Sequence, residues 1–446
     1  MKTKLFTLLT CLFFISIYGQ INHTIDDNAI EVHNVCAADI DDDGDMDVLS
    51  ASWESDEVAW YENTDGQGNF TKYIIASQTD AHHVCTADFD NDGDLDVIYS
   101  SVIDNTVAWC ENTDGQGDFG APQPITISGN GVHEVFPADF NGDGNMDFIV
   151  TYYLSREVAW YENDGLGNFV EQPIPGDAEG VHTIYTADLD NDGDMDALSA
   201  SMEGSLFWYK NTDGEGDFEL QPPISSGTEA IYAISASDMD GDGDIDVLAS
   251  VEGATLLIMF QNDGLGNFNE VLQIPTPYWV MSIHPVDFDD DGDMDILCAE
   301  YGGSNIGFII MYINDGNENF TKGFVTTGAL GAVTAVAAHI NNDSVLDFVS
   351  GWSEADKVVW TEWPHIGVEE NTLSDFTVYP NPTTGILNIE TETTITQIEI
   401  YNQLGQLVLS NSNINTIDVS ELSQGLYFCK IKDENGNTST QKIIKK

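Results

Sequence analysis

The chain is poor in positive charge: 12 Lys+Arg stand against 77 Asp+Glu in 446 residues, a formal net charge of −65. A nucleic-acid binder needs a basic face to displace counterions, so that class is excluded. Unassisted binding of polyanions or of an anionic membrane surface is excluded for the same reason. Cysteine is scarce, six residues in all, too few for a disulfide scaffold. No apolar run reaches the length of a membrane span, so no transmembrane segment is expected. Catalytic signatures are missing too: there is no GxSxG, no HExxH and no Cys/His pair of recognisable spacing. Hydrophobic mass is present. At 42% hydrophobic and 10% aromatic residues, the chain is richer than a solvating acidic tail. The acids must decorate a folded body.

The charge divides the chain. Residues 1–20 hold no acid; Lys2 and Lys4 precede an apolar run from Leu5 to Tyr18 and a Gly19-Gln20 exit, the pattern of a signal peptide. Cys11 lies inside that run, which continues past it, so it is not read as a lipoprotein acylation site. Residues 21–365 hold 67 acids and five bases, residues 366–373 read as a linker, and residues 374–446 hold eight acids and five lysines. Export leaves Cys36, Cys85, Cys110, Cys298 and Cys429, an odd number. Cys36 and Cys85 occupy equivalent repeat positions and read as small buried residues.

The middle segment repeats. An acidic loop begins at Asp39, Asp88, Asp139, Asp188, Asp238 and Asp287, with a decayed copy at His339, at spacings of 49, 51, 49, 50, 49 and 52. A steady period near fifty marks a propeller or solenoid. Within each unit, short β-branched or aromatic runs alternate with Gly/Asp/Asn turns, one of them the DGxGNF group at Asp65 to Phe70. These read as four antiparallel strands. The expected fold is all-β: a seven-bladed β-propeller over residues 21–365, followed by a small C-terminal β-sandwich over 374–446. The seventh unit stops at Trp363 without its fourth strand, and residues His23 to Asp26 are expected to supply it and close the ring.

Six of the loops follow DxDxDGxxD with conservative exchange. Their oxygens at positions 1, 3, 5 and 9 are Asp39, Asp41, Asp43 and Asp47; Asp88, Asp90, Asp92 and Asp96; Asp139, Asn141, Asp143 and Asp147; Asp188, Asp190, Asp192 and Asp196; Asp238, Asp240, Asp242 and Asp246; and Asp287, Asp289, Asp291 and Asp295. That spacing, with glycine at position 6, is the first half of EF-hand logic and suits a hard cation. The glutamate of position 12 is absent, and position 9 is its candidate replacement. So many carboxylates in nine residues repel one another unless a cation joins them. About six Ca²⁺ sites are expected, and none in the seventh copy, HINNDSVLD.

The alternation of DxDxDGxxD loops with DGxGNF turns resembles the FG-GAP/VCBS repeat family, whose integrin-type propellers carry calcium in this loop. The resemblance implies a seven-bladed propeller with calcium loops on one face; it names no ligand. The C-terminal segments YPNPTTGILNI (Tyr379 to Ile389), IYNQLGQLV, GLYFCKI and the terminal KIIKK resemble the type A sorting domain of the type IX secretion system. That resemblance implies handling by the type IX machinery of a Gram-negative bacterium and release to, or display at, the outer cell surface.

Two further sets of residues stand out. Trp60, Trp109, Trp160, Trp208 and Trp360 share one strand position and read as blade-to-blade packing. His33, His82, His133 and His182 each lie six residues before the first loop acid, in four consecutive units, with Tyr232, Met281 and Val333 in the others. They are candidate ligand-binding residues at the channel mouth opposite the calcium loops, joined there by Trp53, Tyr152 and Arg156. Inherited structural positions are the alternative. The expected function is a secreted or surface-displayed, monomeric, calcium-binding propeller that binds a glycan or a surface protein. A carbohydrate-active enzyme of lyase or dehydratase type, working at the same mouth, is the competing reading.

Overall fold

The computed structural model describes residues 21–446 apart from 177–179, 228, 304–305, 317–318, 344, 364–376, 391–393, 403–406, 413–414, 421 and 434–437. The signal-peptide and linker segments read from the sequence lie outside the described residues. Two compact units divide the chain, Met1–Pro364 and His365–Lys446.

In the first unit the fifty-residue period becomes a sheet per repeat. Strands Val32–Ala38, Asp47–Ser52, Glu57–Asn63 and Phe70–Ser77 form one four-stranded antiparallel sheet, and among the described residues six further sheets repeat that order. The second strands are the most buried; Asp47–Ser52 (DVLSAS) is buried at every residue, because it lies between neighbours within its sheet and between adjacent sheets. The seven first strands touch in cyclic order, from Val32–Ala38 to Ala332–Ala338 and back to Val32–Ala38, so they line a central channel.

The seventh sheet is completed from the other end of the unit. Ile21–Asp26 pairs antiparallel with Lys357–Glu362, placing His23 opposite Trp360 and Asp26 opposite Val358. The His23 ring stacks on the Trp360 ring at 4.2 Å. Tyr61 Oη donates to Asp26 Oδ2 at 2.9 Å and Lys72 Nζ donates to the same oxygen at 2.7 Å, tying this strand to the first sheet.

The tryptophans pack as expected. Trp60, Trp109, Trp160, Trp208 and Trp360 are all buried. Each lies under the second glycine of the DGxGNF turn in the following sheet: a Cβ at Gly117 would stand 2.2 Å from the Trp60 ring, and one at Gly68 would stand 2.4 Å from Trp360. The turn motif is therefore glycine at that point because the neighbouring indole occupies the space.

In the second unit, Thr377–Tyr379, Ile386–Glu390 and Thr416–Asp418 form one sheet, and Ile395–Asn402, Leu407–Ser412, Gly425–Asp433 and Thr438–Lys445 form another. Both contribute to one core that includes Leu387, Ile389, Ile400 and Ile431. No α-helix occurs among the described residues, and no helix there is long and apolar enough to cross a membrane.

Candidate functional site

Two assemblies concentrate chemistry in the propeller: the acidic loops between first and second strands, and the wall of the central channel.

The acidic loops are wound tightly by their own carboxylates. In the first loop the Gly44 amide donates to Asp39 Oδ2 at 3.0 Å and the Asp45 amide donates to Asp43 Oδ1 at 2.9 Å, with Gly44 at φ +92°. Position 9 is anchored most heavily. Asp47 Oδ2 accepts from the Ile40 amide and from Trp60 Nε1, while Asp47 Oδ1 accepts from the Asn63 amide at 2.7 Å. Burial pushes this carboxyl up to about 7 in Asp47, Asp96, Asp147, Asp196 and Asp246, and to about 6 in Asp295. The decayed seventh copy keeps the same anchor, since Asp347 accepts from the Ile340 and Trp363 amides. Position 9 therefore has a structural duty that does not depend on a cation.

The remaining oxygens converge. Carboxylate oxygens of Asp39, Asp41 and Asp43 lie within 4.8 Å of one another, as do those of Asp88, Asp90 and Asp96; Asp188, Asp190 and Asp196; Asp238, Asp240 and Asp246; and Asp287, Asp289 and Asp291. In the third loop Asn141 replaces the second acid. Oδ1 of Asp39, Asp41, Asp88 and Asp190 is buried without a hydrogen-bond donor. Burial, followed by repulsion from neighbouring carboxylates, raises Asp41, Asp90 and Asp289 above the ordinary aspartate value. Converging hard oxygens with unused lone pairs fit a calcium-type ion.

A column of the repeat escaped sequence reasoning. The residue before the asparagine that ends or follows the third strand is Glu62, Glu111, Glu162, Lys210, Gln261 or Ile313, and the seventh repeat has Glu362, before Trp363, at the same place. Glu62 and Glu111 are close enough to raise Asp41 and Asp90. Lys210 instead bonds Asp190 and Asp192, and Gln261 bonds Asp240. The alternation in charge was visible in the aligned repeats; its proximity to the loops was not.

The channel wall is shaped by a bulge repeated in every inner strand. Pairing with the second strand shifts register between Val32 and Asn34, Ala81 and His83, Val132 and Val135, and Val181 and Thr183, and likewise in the other three. The residue caught in the shift is His33, His82, His133 or His182. A bulge frees one residue from the ladder and re-aims its side chain. The next polar side chain then bonds a backbone amide of the following sheet: Asn34 Oδ1 accepts from the Val84 amide at 3.2 Å and Glu134 Oε2 from the Ile184 amide at 2.9 Å.

The structure brings the four histidines together. Ring centroids are 4.8 Å apart for His33 and His82, 3.9 Å for His82 and His133, and 4.2 Å for His133 and His182; Tyr232 continues the row at 4.5 Å. All four line a cavity of about 360 Å³, with His83, His284 and Glu134 on the same wall. Burial lowers His33 and His182 to about 4, and holds His82 and His133 well below the usual imidazole value. The imidazoles are thus neutral near pH 7. Desolvation pushes Glu134 up to about 7.

Of the three other candidates, one joins the row. Trp53 stands 5.0 Å from His33 and 5.9 Å from His82, ring to ring. Tyr152 is a correction: it is fully buried, its hydroxyl lies 2.5 Å from that of Tyr161, and it faces the interior between sheets. It is the last residue of a strand buried at every position, while its neighbour Tyr153 opens the following turn and is exposed. Arg156 sits exposed in the hairpin turn at φ +62° and is not among the residues lining the cavity.

The FG-GAP-like repeat model matches residues 39–99, 98–150, 139–199, 188–249, 238–298 and 287–350. The secretion system C-terminal sorting domain model matches residues 377–446. No curated protein sequence matches the chain. Among solved structures, BBS1N in complex with ARL6DN, soaked with lead, is similar at a TM-score of 0.55 with 9% identity, covering 77% of this chain and 96% of that one. Saccharomyces cerevisiae Sqt1 is similar at a TM-score of 0.49 with 8% identity, covering 95% of this chain and 98% of that one. At 9% identity the likeness to BBS1N is one of fold alone.

Proposed function

Because the chain belongs to the FG-GAP-like repeat family and ends in a secretion sorting domain handled by the type IX system, we propose that it is a secreted or cell-surface calcium-dependent binding module. Its ligand is a neutral or cationic glycan, or a surface protein of that character. One observation carries the binding role. Loops joining second and third strands, at the ends of the sheets away from the acidic loops, expose large apolar side chains: Leu154 is 70% exposed, Ile103 65%, Tyr153 is exposed next to Leu154, and Ile306 is exposed in the corresponding loop of the sixth sheet. Trp279, 42% exposed, begins an inner strand at the same end. Glu54, Asp56 and Asp104 stand exposed in the same set of loops, which selects against an anionic ligand.

Calcium's role is to hold the sheets' turns, with the six loops as its sites. At free calcium about 100-fold above Kd, each filled site adds roughly 2.7 kcal/mol to stability. A chelator should therefore lower the melting temperature steeply, and an unchanged melt would remove calcium from the proposal. For the binding role, Ile103→Asp with Leu154→Asp should abolish binding to a panel of neutral and basic glycans and to cell-surface protein while leaving the calcium-loaded melt intact. Changing Leu166 and Leu265, on the turns beside the acidic loops, should leave binding unaltered. Equal loss from both pairs would sink the assignment of the face.

A further inference from the structure

One asparagine side chain joins each acidic loop to the next. Asn112, just past the third strand of the second sheet, is fully buried and bonds two loops at once. Its backbone amide donates to Asp96 Oδ1 of the second loop at 2.8 Å, and its Nδ2 donates to the Ile40 carbonyl of the first loop at 2.9 Å. Ile40 lies between Asp39 and Asp41, and its own amide donates to Asp47 of the same loop. Asp96 is one of the three acids whose oxygens converge in the second loop. Asn112 therefore ties the backbone between two acids of one loop to a converging acid of the next.

The arrangement repeats. Asn163, Asn211, Asn262 and Asn314 each hold position 9 of their own loop through the backbone amide, at 2.7 to 2.8 Å. Each also holds the position 2 carbonyl of the preceding loop through Nδ2, at 2.6 to 3.1 Å. Asn63 makes the same two bonds, to Asp47 and to Ile340 of the decayed loop. All six asparagines are buried. The seventh sheet breaks the series. Trp363 stands in the asparagine's place and its amide still holds Asp347, but its side chain carries no carboxamide; its ring meets that of Phe288 edge-on at 4.9 Å. The asparagine links run from the first loop to the sixth and stop there.

From these links we infer that the six acidic loops bind calcium cooperatively along a line, each filled loop preparing its neighbour; the inference rests on the calcium reading above. Asp41 shows why a cation matters to the loop's order: it is 8% exposed, and its Oδ1 is buried with no donor. An ion that joins the acids of the first loop also fixes the Ile40 peptide between them. Asn112 is fixed with it, and the Asp96 carboxylate is held for the second ion. That ion then loses less conformational entropy on binding, which is positive coupling without a large movement. In a repeat array such coupling acts between nearest neighbours. The first loop's upstream neighbour is the decayed copy, and the sixth has no onward link. The two end loops therefore gain from one filled neighbour, and the inner four from two.

The test uses the full chain, stripped with a chelator and returned to calcium, with hydrogen exchange read separately on the peptide of each loop. Calorimetry of the same titration should give a Hill coefficient above 1. Asp88→Asn combined with Asp90→Asn weakens the second site. It should raise the calcium midpoint of the first and third loops by about fivefold or more, the lower end of typical coupling, and leave the sixth nearly unchanged. Asn112→Ala removes the side-chain bond to Ile40 and spares the backbone bond to Asp96. It should leave the number of bound ions unaltered while the first loop no longer responds to the state of the second. Should one variant fail to fold, the other decides. An equal shift in every loop would reveal a single global transition and overturn coupling between neighbours. Calcium bound with a Hill coefficient of 1, and with the first and third loops unmoved, would overturn the coupling and leave the calcium reading standing. No retained calcium would overturn both.

Discussion

Lys210 places its ammonium 2.9 Å from Asp192 Oδ2 and bonds Asp190 as well, inside the fourth acidic loop. The chain thus brings its own cation to one loop, where the first and second loops face a glutamate at the same column. A calcium ion entering the fourth loop competes with that ammonium. We expect this loop to be the weakest calcium site, and Lys210→Ala to tighten one site by about tenfold or more, which corresponds to roughly 1.4 kcal/mol. Calcium titration with resolved stoichiometry checks it. A variant with unaltered site affinities would show that Lys210 does not compete.

Closure of the ring depends on the strand Ile21–Asp26. Deleting residues 21–30 should lower the melting temperature sharply, because Lys357–Glu362 would then present an unpaired edge. An unchanged melt would mean that the seventh sheet is stable with three strands.

Asp26 lends that closing strand a pH dependence. Burial alone would raise its carboxyl, but Lys72, the Asn28 amide and Tyr61 outweigh burial and hold it below the ordinary value of 3.8. A depressed folded value means stability that is present above about pH 3.8 and lost as pH falls through the folded value. Lys72 is partly exposed, with a side-chain accessibility of 30%, so its loss is discounted to roughly 1–2 kcal/mol. Lys72→Met should reduce stability by that amount at pH 7, and the gap from wild type should narrow as pH falls below about 3.8 through the folded value of Asp26. A gap that does not change with pH would assign the effect to packing.

Gly117 against Trp60 tests the packing between sheets. Gly117→Ala puts a methyl group 2.2 Å from the indole at φ +80°, and should destabilise by roughly 2–4 kcal/mol in calorimetry. Gly328 has a similar φ of +88° with nothing within 4 Å of the added methyl, so Gly328→Ala should cost only about 1 kcal/mol. Equal costs would show that backbone strain, not the indole, decides.

The sequence by itself determined what is local and periodic. Spacing of 49 to 52 residues, loop acids at fixed offsets and glycine-rich turns each report a short-range steric or electrostatic need, and those needs are written in adjacent residues. The sheets, the acidic loops and the buried tryptophans follow from them, as does the closing strand once its missing partner is noticed. Tertiary structure alone decided which equivalent residues meet. His82 and His133 lie 51 residues apart, and their rings approach to 3.9 Å only because the inner strands close into a channel and a bulge turns each ring toward it. Tyr152 and Tyr153 are neighbours of like chemistry, yet one is sealed between sheets and the other is exposed. Lys210 reads as one of five bases in an acidic propeller until the end of the strand Ser205–Asn211 carries it to Asp190. Periodicity fixes each residue's place within its sheet, while contact between sheets depends on ring closure, a long-range property that no window of neighbouring residues contains.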